Sequence, residues 1–111
     1  MHLSPRLDRA FHALADPTRR RIVERLAHGD HPVMEIAREF SISQPAITKH
    51  LDALERAGII GRRRAGRQRI CFLRPRGMES SVAWIARCRR LWNQRFDALD
   101  TLLADTTSAK D

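Results

Sequence analysis

The sequence predicts a single, mainly α-helical domain that carries one small β-hairpin. Apolar residues recur three or four positions apart over most of the chain, which is typical of amphipathic helices. Short β-prone runs lie on either side of an arginine-rich turn, which is typical of a hairpin. At 111 residues the chain suits one compact domain. We expect this domain over residues 1–104 and a polar, disordered tail over residues 105–111.

Start and stop signals divide the first half of the chain into four helices. Ser4 with Pro5, and Asp16 with Pro17, place a capping side chain before a proline, which is a favoured beginning of a helix. Ser43 can cap a later helix in the same way. The expected helices begin near Ser4, Asp16, Val33 and Ser43 and end near Leu14, Gly29, Phe40 and Ala57.

The second half of the chain predicts the hairpin and then one long helix. Residues 59–60 and 70–73 are the β-prone runs, and Ala65 with Gly66 forms the turn between them. From about Met78 to Ala104 the apolar residues again keep helical spacing. The expected order of elements is therefore α-α-α-α-β-β-α.

The positive charge of the chain is concentrated in this hairpin. The formal net charge is +8, and residues 59–76 contain seven arginines and no acidic residue. The rest of the chain is nearly neutral. A run of arginines can simply be solvated, but seven uncompensated cations in an ordered hairpin repel one another unless an anion binds them. The sequence therefore predicts a polyanionic partner, with nucleic acid favoured over an anionic membrane.

The order of the elements suggests how nucleic acid would be bound. Two helices separated by a three-residue break, followed by a basic hairpin, form the pattern of a helix-turn-helix with a wing. The second helix of such a pair can enter the major groove of double-stranded DNA. Taken singly, each polar residue on it could also be a cap or a solvated side chain. The expected DNA-binding residues are Ser43, Gln44, Pro45, Thr48 and Lys49 on the helix and Arg62, Arg63, Arg64 and Arg67 on the hairpin.

Two segments resemble a known family. Residues 11–22 read FHALADPTRRRI and resemble the opening signature of the ArsR-type regulators, and residues 43–60 read SQPAITKHLDALERAGII and resemble that family's recognition helix and its exit. The resemblance covers roughly residues 3–104. It implies a winged helix-turn-helix fold, a homodimer built from the first and last helices, and repression, or occasionally activation, of nearby genes.

The apolar stripes of the first and last helices also predict a dimer from the residues themselves. A core of three helices and a hairpin is too small to cover both stripes, so a second copy on an inverted repeat is the favoured partner. The alternative is that the long helix folds back over its own domain. The expected interface residues are Leu3, Leu7, Phe11, Trp84, Leu91, Trp92, Phe96 and Leu99.

Neither a metal nor another cofactor is expected. Metal-sensing relatives of this type carry a cysteine pair in the third helix or Asp and His ligands along the last one, and this chain has neither. His28, Asp30 and His31 form only a small cluster in a turn. Cys71 and Cys88 are expected to be reduced thiols, although a redox pair stays open if their elements pack together.

Enzymes and membrane proteins are not favoured either. The sequence has no glycine-rich phosphate loop, no nucleophile motif and no plausible catalytic carboxylate pair. No apolar run approaches the roughly 20 residues that span a bilayer, and the first residues lack the apolar core of a signal peptide. We therefore expect a cytoplasmic protein. Two alternatives remain. One is a dimeric interaction module whose hairpin binds an acidic protein, and the other is RNA binding, which few exposed aromatic residues would support.

Overall fold

The computed structural model describes residues 4–108, which form a mainly helical fold with a small antiparallel sheet. The described residues up to Ser81 form one compact unit, and those from Val82 onward form a second. The predicted fold class is confirmed. The elements are α1 (Pro5–Leu14), α2 (Pro17–Ala27), β1 (His31–Pro32), α3 (Val33–Glu39), α4 (Gln44–Arg56), β2 (Ile60–Ala65), β3 (Gln68–Leu73) and α5 (Glu79–Ser108).

The helix starts follow the capping signals of the sequence. Ser4 Oγ accepts a hydrogen bond from the backbone N–H of Leu7 at 3.3 Å, and Asp16 Oδ2 accepts one from Arg19 at 3.0 Å. Ser43 Oγ accepts from Ala46 at 3.3 Å. Each bond satisfies an N–H group that the helix itself leaves without a partner, so the three predicted starts are confirmed.

The helix-turn-helix is closed by similar backbone motifs at the ends of α3 and α4. After α3, Ser41 has a φ of 54°, and Ile42 N–H bonds to Ala37 O at 3.1 Å. After α4, Gly58 has a φ of 78°, and the next residue bonds back to Leu54 O at 3.0 Å. Both are Schellman motifs, which stop a helix through one residue in the left-handed region.

The sheet contains a strand that the sequence did not predict. The strand order is β1-β3-β2, and β1 pairs with β3 through His31 opposite Cys71 and Pro32 opposite Ile70. We expected a plain break at residues 28–32 and the order α-α-α-α-β-β-α, so the element list was wrong at this point. Two residues show no alternation that could be recognised, and a proline is tolerated only because the strand lies at the sheet edge.

The core fixes which face of α4 is exposed. Ile47, Leu51 and Leu54 are fully buried, as their spacing predicted. The opposite face of α4 therefore points away from the core. The core residues come from α1 to α4 and the sheet: Ala10, Ala13, Ile22, Val23, Leu26, Ile36, Ala37, Ile47, Leu51, Leu54, Ala57, Ile59, Ile60 and Cys71.

The last helix is longer than expected. It continues to Ser108 rather than ending near Ala104, so residues 105–108 of the expected tail are helical. Residues 109–111 of that tail lie outside the described part of the chain. No glycine or proline follows Gly77, so nothing in the sequence interrupts the helix at the expected point. None of the helices within residues 4–108 is long and apolar enough to cross a membrane.

Candidate nucleic-acid interface

The N-terminal part of α4 presents the polar residues that the sequence selected. Ser43, Gln44, Pro45 and Lys49 are exposed, and Thr48 is half-buried. Ser43 serves as the helix cap, and Thr48 Oγ1 donates to Gln44 O at 2.9 Å, so both hydroxyl groups already have local partners. Among the described residues, the side chains of Gln44 and Lys49 have no such bond, which leaves them available to a ligand.

The electrostatics of this helix end favour an anion. The first turn of α4 has no acidic residue, and the N–H groups of a helix N-terminus carry a partial positive charge. A DNA phosphate near Ser43 would meet these N–H groups as well as Lys49.

Arg62 lies on the hairpin as expected, but its side chain is bound within the protein. Its Nη2 donates to Asp52 Oδ1 at 2.6 Å and its Nε donates to Glu55 Oε2 at 2.5 Å, and the side chain is only 11% exposed. Burial alone would lower the pKa of the guanidinium, but the hydrogen bonds to both carboxylates outweigh burial and raise the pKa. Arg62 was expected to contact DNA, and the structure instead joins it to α4 within the protein.

Arg63 is only partly available. Its Nη1 donates to Asp30 Oδ2 at 3.0 Å, and its guanidinium carbon lies 5.4 Å from the centre of the Phe72 ring. The side chain is still 53% exposed. An exposed pair of this kind is weak, so Arg63 can exchange Asp30 for a phosphate at little cost.

The free arginines are gathered at the tip of the hairpin. Arg64 and Arg67 are exposed, and Arg64 lies directly opposite Arg69 in the register of β2 and β3. Like charges directly opposite each other destabilise a sheet. Within residues 4–108 no carboxylate lies within ion-pair distance of these three arginines. An anion bound at the tip would therefore relieve a repulsion that the fold leaves in place.

Arg69 is a residue that sequence reasoning missed. It was counted in the charge of the segment but was not named as a site residue. The turn was expected at Ala65 and Gly66, and that position was wrong by one residue. The two-residue turn lies at Gly66 and Arg67, which pairs position 64 with position 69. Gly66 has a φ of 64°, which suits the first position of a type II′ turn.

A second missed cluster ties α4 to the start of α2. Arg19 Nε donates to His50 Nδ1 at 3.2 Å, and Asp16 Oδ2 lies 3.7 Å from the same nitrogen. The backbone N–H of Arg19 does most to lower the pKa of Asp16, partial burial opposes it, and His50 lowers the pKa further. The cluster therefore holds α4 against the start of α2.

The candidate dimer residues are divided between the two units. Leu7 and Phe11 of α1 are half-buried, and Leu3 lies outside the described residues. Trp92 is 66% exposed, and its ring centre lies 5.6 Å from that of Phe96. The candidates on α5 are all exposed: Trp84, Leu91, Trp92, Phe96 and Leu99.

The cysteines and histidines show no arrangement for a metal. Within residues 4–108 no group of three metal-binding side chains comes together. Asp30 is engaged by Arg63, and His31 Nδ1 lies 3.0 Å from Gly29 O. Both cysteines are free, and burial raises the pKa of the Cys71 thiol to about 11.

Together, the fold and this surface define a winged helix-turn-helix protein. A family model described as a helix-turn-helix domain matches residues 14–63. The chain is 51% identical over 71 residues to the HTH-type transcriptional regulator Rv2034 of Mycobacterium tuberculosis, which covers 64% of this chain and 66% of that protein. This chain thus spans just under two thirds of that relative's length.

Two further relatives are covered almost completely. The transcriptional repressor SdpR of Bacillus subtilis is 35% identical over 79 residues, which are 71% of this chain and 88% of that protein. The ArsR family transcriptional regulator RHA00566, known from a crystal structure, is 38% identical in sequence to this chain. The two structures match with a TM-score of 0.73 over 79% of this chain and 97% of that one. This chain therefore belongs to the ArsR-type transcription regulators, as the resemblance implied.

Proposed function

We propose that this protein binds double-stranded DNA as a homodimer and represses transcription by occupying an inverted repeat. The observation that carries the proposal is the exposed N-terminal face of α4, which lacks acidic residues and lies in the same unit as the unpaired arginines of the hairpin tip. Gln44 and Lys49 are the free side chains of that face. The names of the similar regulators support the same activity.

In this proposal α4 reads the bases and the hairpin tip holds the backbone. An amide side chain such as Gln44 can pair with an adenine edge in the major groove, and Lys49 can donate to guanine or to a phosphate. Arg64, Arg67 and Arg69 reach phosphates or an adjacent minor groove. Ser43 and Thr48 contribute through the shape and charge of the helix end, because their hydroxyl groups already serve the backbone.

The exposed face of α5 supports the homodimer. Nine of the ten large apolar side chains that are exposed in the described residues lie on this helix. Monomers rarely leave such a stripe in water, because its burial yields about 25 cal/mol per Å². A second copy would cover it and would place two α4 helices about 34 Å apart, one turn of DNA.

The proposal also covers cofactors, catalysis and location in the cell. The protein works without a metal or another cofactor, catalyses no reaction, and acts in the cytoplasm where the chromosomal DNA lies. The expected repression over activation rests on the similarity to SdpR, which is named as a repressor.

A binding experiment with matched substitutions tests the proposal. Lys49→Ala and Arg56→Ala each remove one positive charge from an exposed position of α4, at the N-terminal and C-terminal ends. We expect Lys49→Ala to weaken binding to the protein's own upstream DNA and Arg56→Ala to leave it unchanged. Gln44→Ala should reduce discrimination between operator and mutated operator by about 1–3 kcal/mol. Gel shifts at several salt concentrations measure both effects.

Two results would count against the proposal. Equal effects of Lys49→Ala and Arg56→Ala would mean that α4 does not enter a groove with its N-terminal end. Binding of the parent protein that depends on salt but not on DNA sequence would leave only charge attraction. An acidic protein that competes for the hairpin would then become the better candidate partner.

A further inference from the structure

We infer that Arg62 is a positioning residue for DNA binding: it clamps the wing, which comprises β2, the turn and β3, to Asp52 and Glu55 of α4. This inference rests on the proposed function. It assigns Arg62 a role through other residues, because its guanidinium is bound by two carboxylates of α4 and its side chain is largely buried.

The geometry of the clamp fixes both distance and orientation. Two different nitrogen atoms of Arg62 bond to two different carboxylates, at 2.6 Å to Asp52 and 2.5 Å to Glu55. The guanidinium is a rigid plane, so two bonds from separate atoms prevent it from rotating. Asp52 and Glu55 lie three residues apart on one side of α4, which makes them a single docking point for the strand.

The clamp lies between the two groups that would touch DNA. Arg64 follows two residues later on the same face of β2, about 7 Å along the strand. Lys49 precedes Asp52 by three residues, less than one turn of α4. A shift of the strand relative to the helix at Arg62 would therefore move the wing tip relative to the groove-facing end of α4.

Buried core residues hold the base of the wing: Ile60 lies in β2, and Cys71 of β3 lies directly opposite Arg62. Beyond this level the wing is exposed, so Arg62 is the last side chain of β2 that joins it to α4. On the other face of the strand, Arg63 bonds to Asp30 through an exposed pair. The Arg62 side chain is by contrast largely buried. Arg62 also offsets one of the two negative charges that Asp52 and Glu55 place beside the wing.

Hydrogen exchange of the free protein tests the clamp without DNA. Arg62→Gln removes the two charged bonds, and Arg64→Gln removes the same charge two residues away at an exposed position. We expect Arg62→Gln to speed exchange of the amides in residues 63–69 by about tenfold or more. Arg64→Gln should not speed it, because that variant only relieves the repulsion from Arg69. Equal exchange in both variants would overturn the clamp, whatever the protein binds.

Operator binding then tests the consequence of the clamp. Arg62→Gln should lower affinity by about tenfold with the slope of log affinity against log salt unchanged, whereas Arg64→Gln should reduce that slope by about one. A slope reduced by Arg62→Gln would assign Arg62 to a phosphate and overturn the inference. Failure of the parent protein to prefer its operator would count against the proposed function instead, and the exchange result would still decide the clamp.

A charge swap distinguishes the effect of the ion pair between Arg62 and Glu55 from the effect of the Arg62 charge alone. Arg62→Glu alone should abolish operator binding, and Arg62→Glu combined with Glu55→Arg keeps the net charge of the parent while restoring an opposite pair. We expect the double variant to recover at least about a tenth of the parent affinity. A double variant no better than Arg62→Glu would contradict the clamp. If Arg62→Glu does not fold by circular dichroism, the comparison of Arg62→Gln with Arg64→Gln decides.

Discussion

The two units of this chain use similar apolar residues in opposite ways. In the unit that ends at Ser81, the large aliphatic side chains of α2 to α4 are buried, and the outward face of α4 and the wing carry polar and charged groups. From Val82 onward, α5 carries nine exposed large apolar side chains. The first unit is complete as a fold and its surface suits an anion. The second carries an apolar surface that is exposed in the single chain.

The proposed function gives these two surfaces different tasks. Recognition of DNA needs fixed polar groups on a rigid support, and the buried stripe of α4 would supply that support. Assembly of two copies needs an exposed apolar surface, which α5 offers. We therefore expect substitutions on the exposed face of α5 to leave the fold of the first unit intact.

The largest expected effect comes from charges placed on the apolar face of α5. Trp92→Glu with Phe96→Glu would put carboxylates where the proposed partner copy packs, and desolvation of a charge is costly. Sedimentation of the parent should give about twice the chain mass of 12.8 kDa, and the variant should give the monomer. Operator affinity should fall by roughly 10²–10⁴-fold, because two linked half-sites become independent.

A control from the first unit makes this result specific. Met34→Glu places the same charge on the one large apolar side chain that is exposed outside α5 in the described residues. It should leave both mass and affinity unchanged. If the parent protein sediments as a monomer, or if a monomeric variant still protects two half-sites cooperatively, then α5 does not form the dimer interface.

The second prediction concerns the buried core of the first unit. Leu54 is fully buried in the first unit, so Leu54→Ala should lower the free energy of unfolding by about 2–5 kcal/mol through lost contacts and a cavity. Met34→Ala, at an exposed position of α3, should change it by less than about 0.5 kcal/mol. Urea denaturation at fixed protein concentration measures both. Similar values for the two variants would mean that the core is not the compact part of the protein.

The sequence predicted those parts of the structure that depend on neighbouring residues. The caps at Ser4, Asp16 and Ser43 act within three residues, so the pattern of a capping residue next to a proline was enough to find them. The buried stripe of α4 follows from helical spacing alone. The order of the elements then identified the helix-turn-helix and its wing.

What the sequence did not reveal depends on pairing between distant residues. Arg62 lies seven and ten residues from its carboxylate partners, and a count of charges cannot show which arginine finds a partner. The four arginines selected near the turn therefore looked equivalent, although Arg62 is bound to two carboxylates and Arg64 has no such partner within the described residues. Strand β1 exists only because β3 offers it an edge, and its two residues carry no pattern of their own.

The smallest expected effect concerns the cap that begins α2. Asp16→Ala removes the acceptor for the Arg19 N–H and should lower the free energy of unfolding by about 1 kcal/mol at neutral pH. Asp16→Asn keeps an oxygen acceptor in the same place, so it should lower the free energy of unfolding by less than Asp16→Ala does. Its remaining deficit in the free energy of unfolding would measure what the negative charge adds at the N-terminal end of α2.

The pH dependence of this effect has a definite sign. The native structure lowers the pKa of Asp16, mainly through the Arg19 N–H, below the value of about 3.9 that an unfolded chain shows. The unfolded chain therefore binds the proton first, and the charge stabilises the fold above about pH 4 and ceases to do so as the pH falls through the native pKa. Urea denaturation at pH 7 and in steps below pH 4 should show the difference between parent and Asp16→Asn shrinking with acid. If the difference in the free energy of unfolding persists unchanged at low pH, the cap acts as a neutral hydrogen bond and the charge of Asp16 adds no stability.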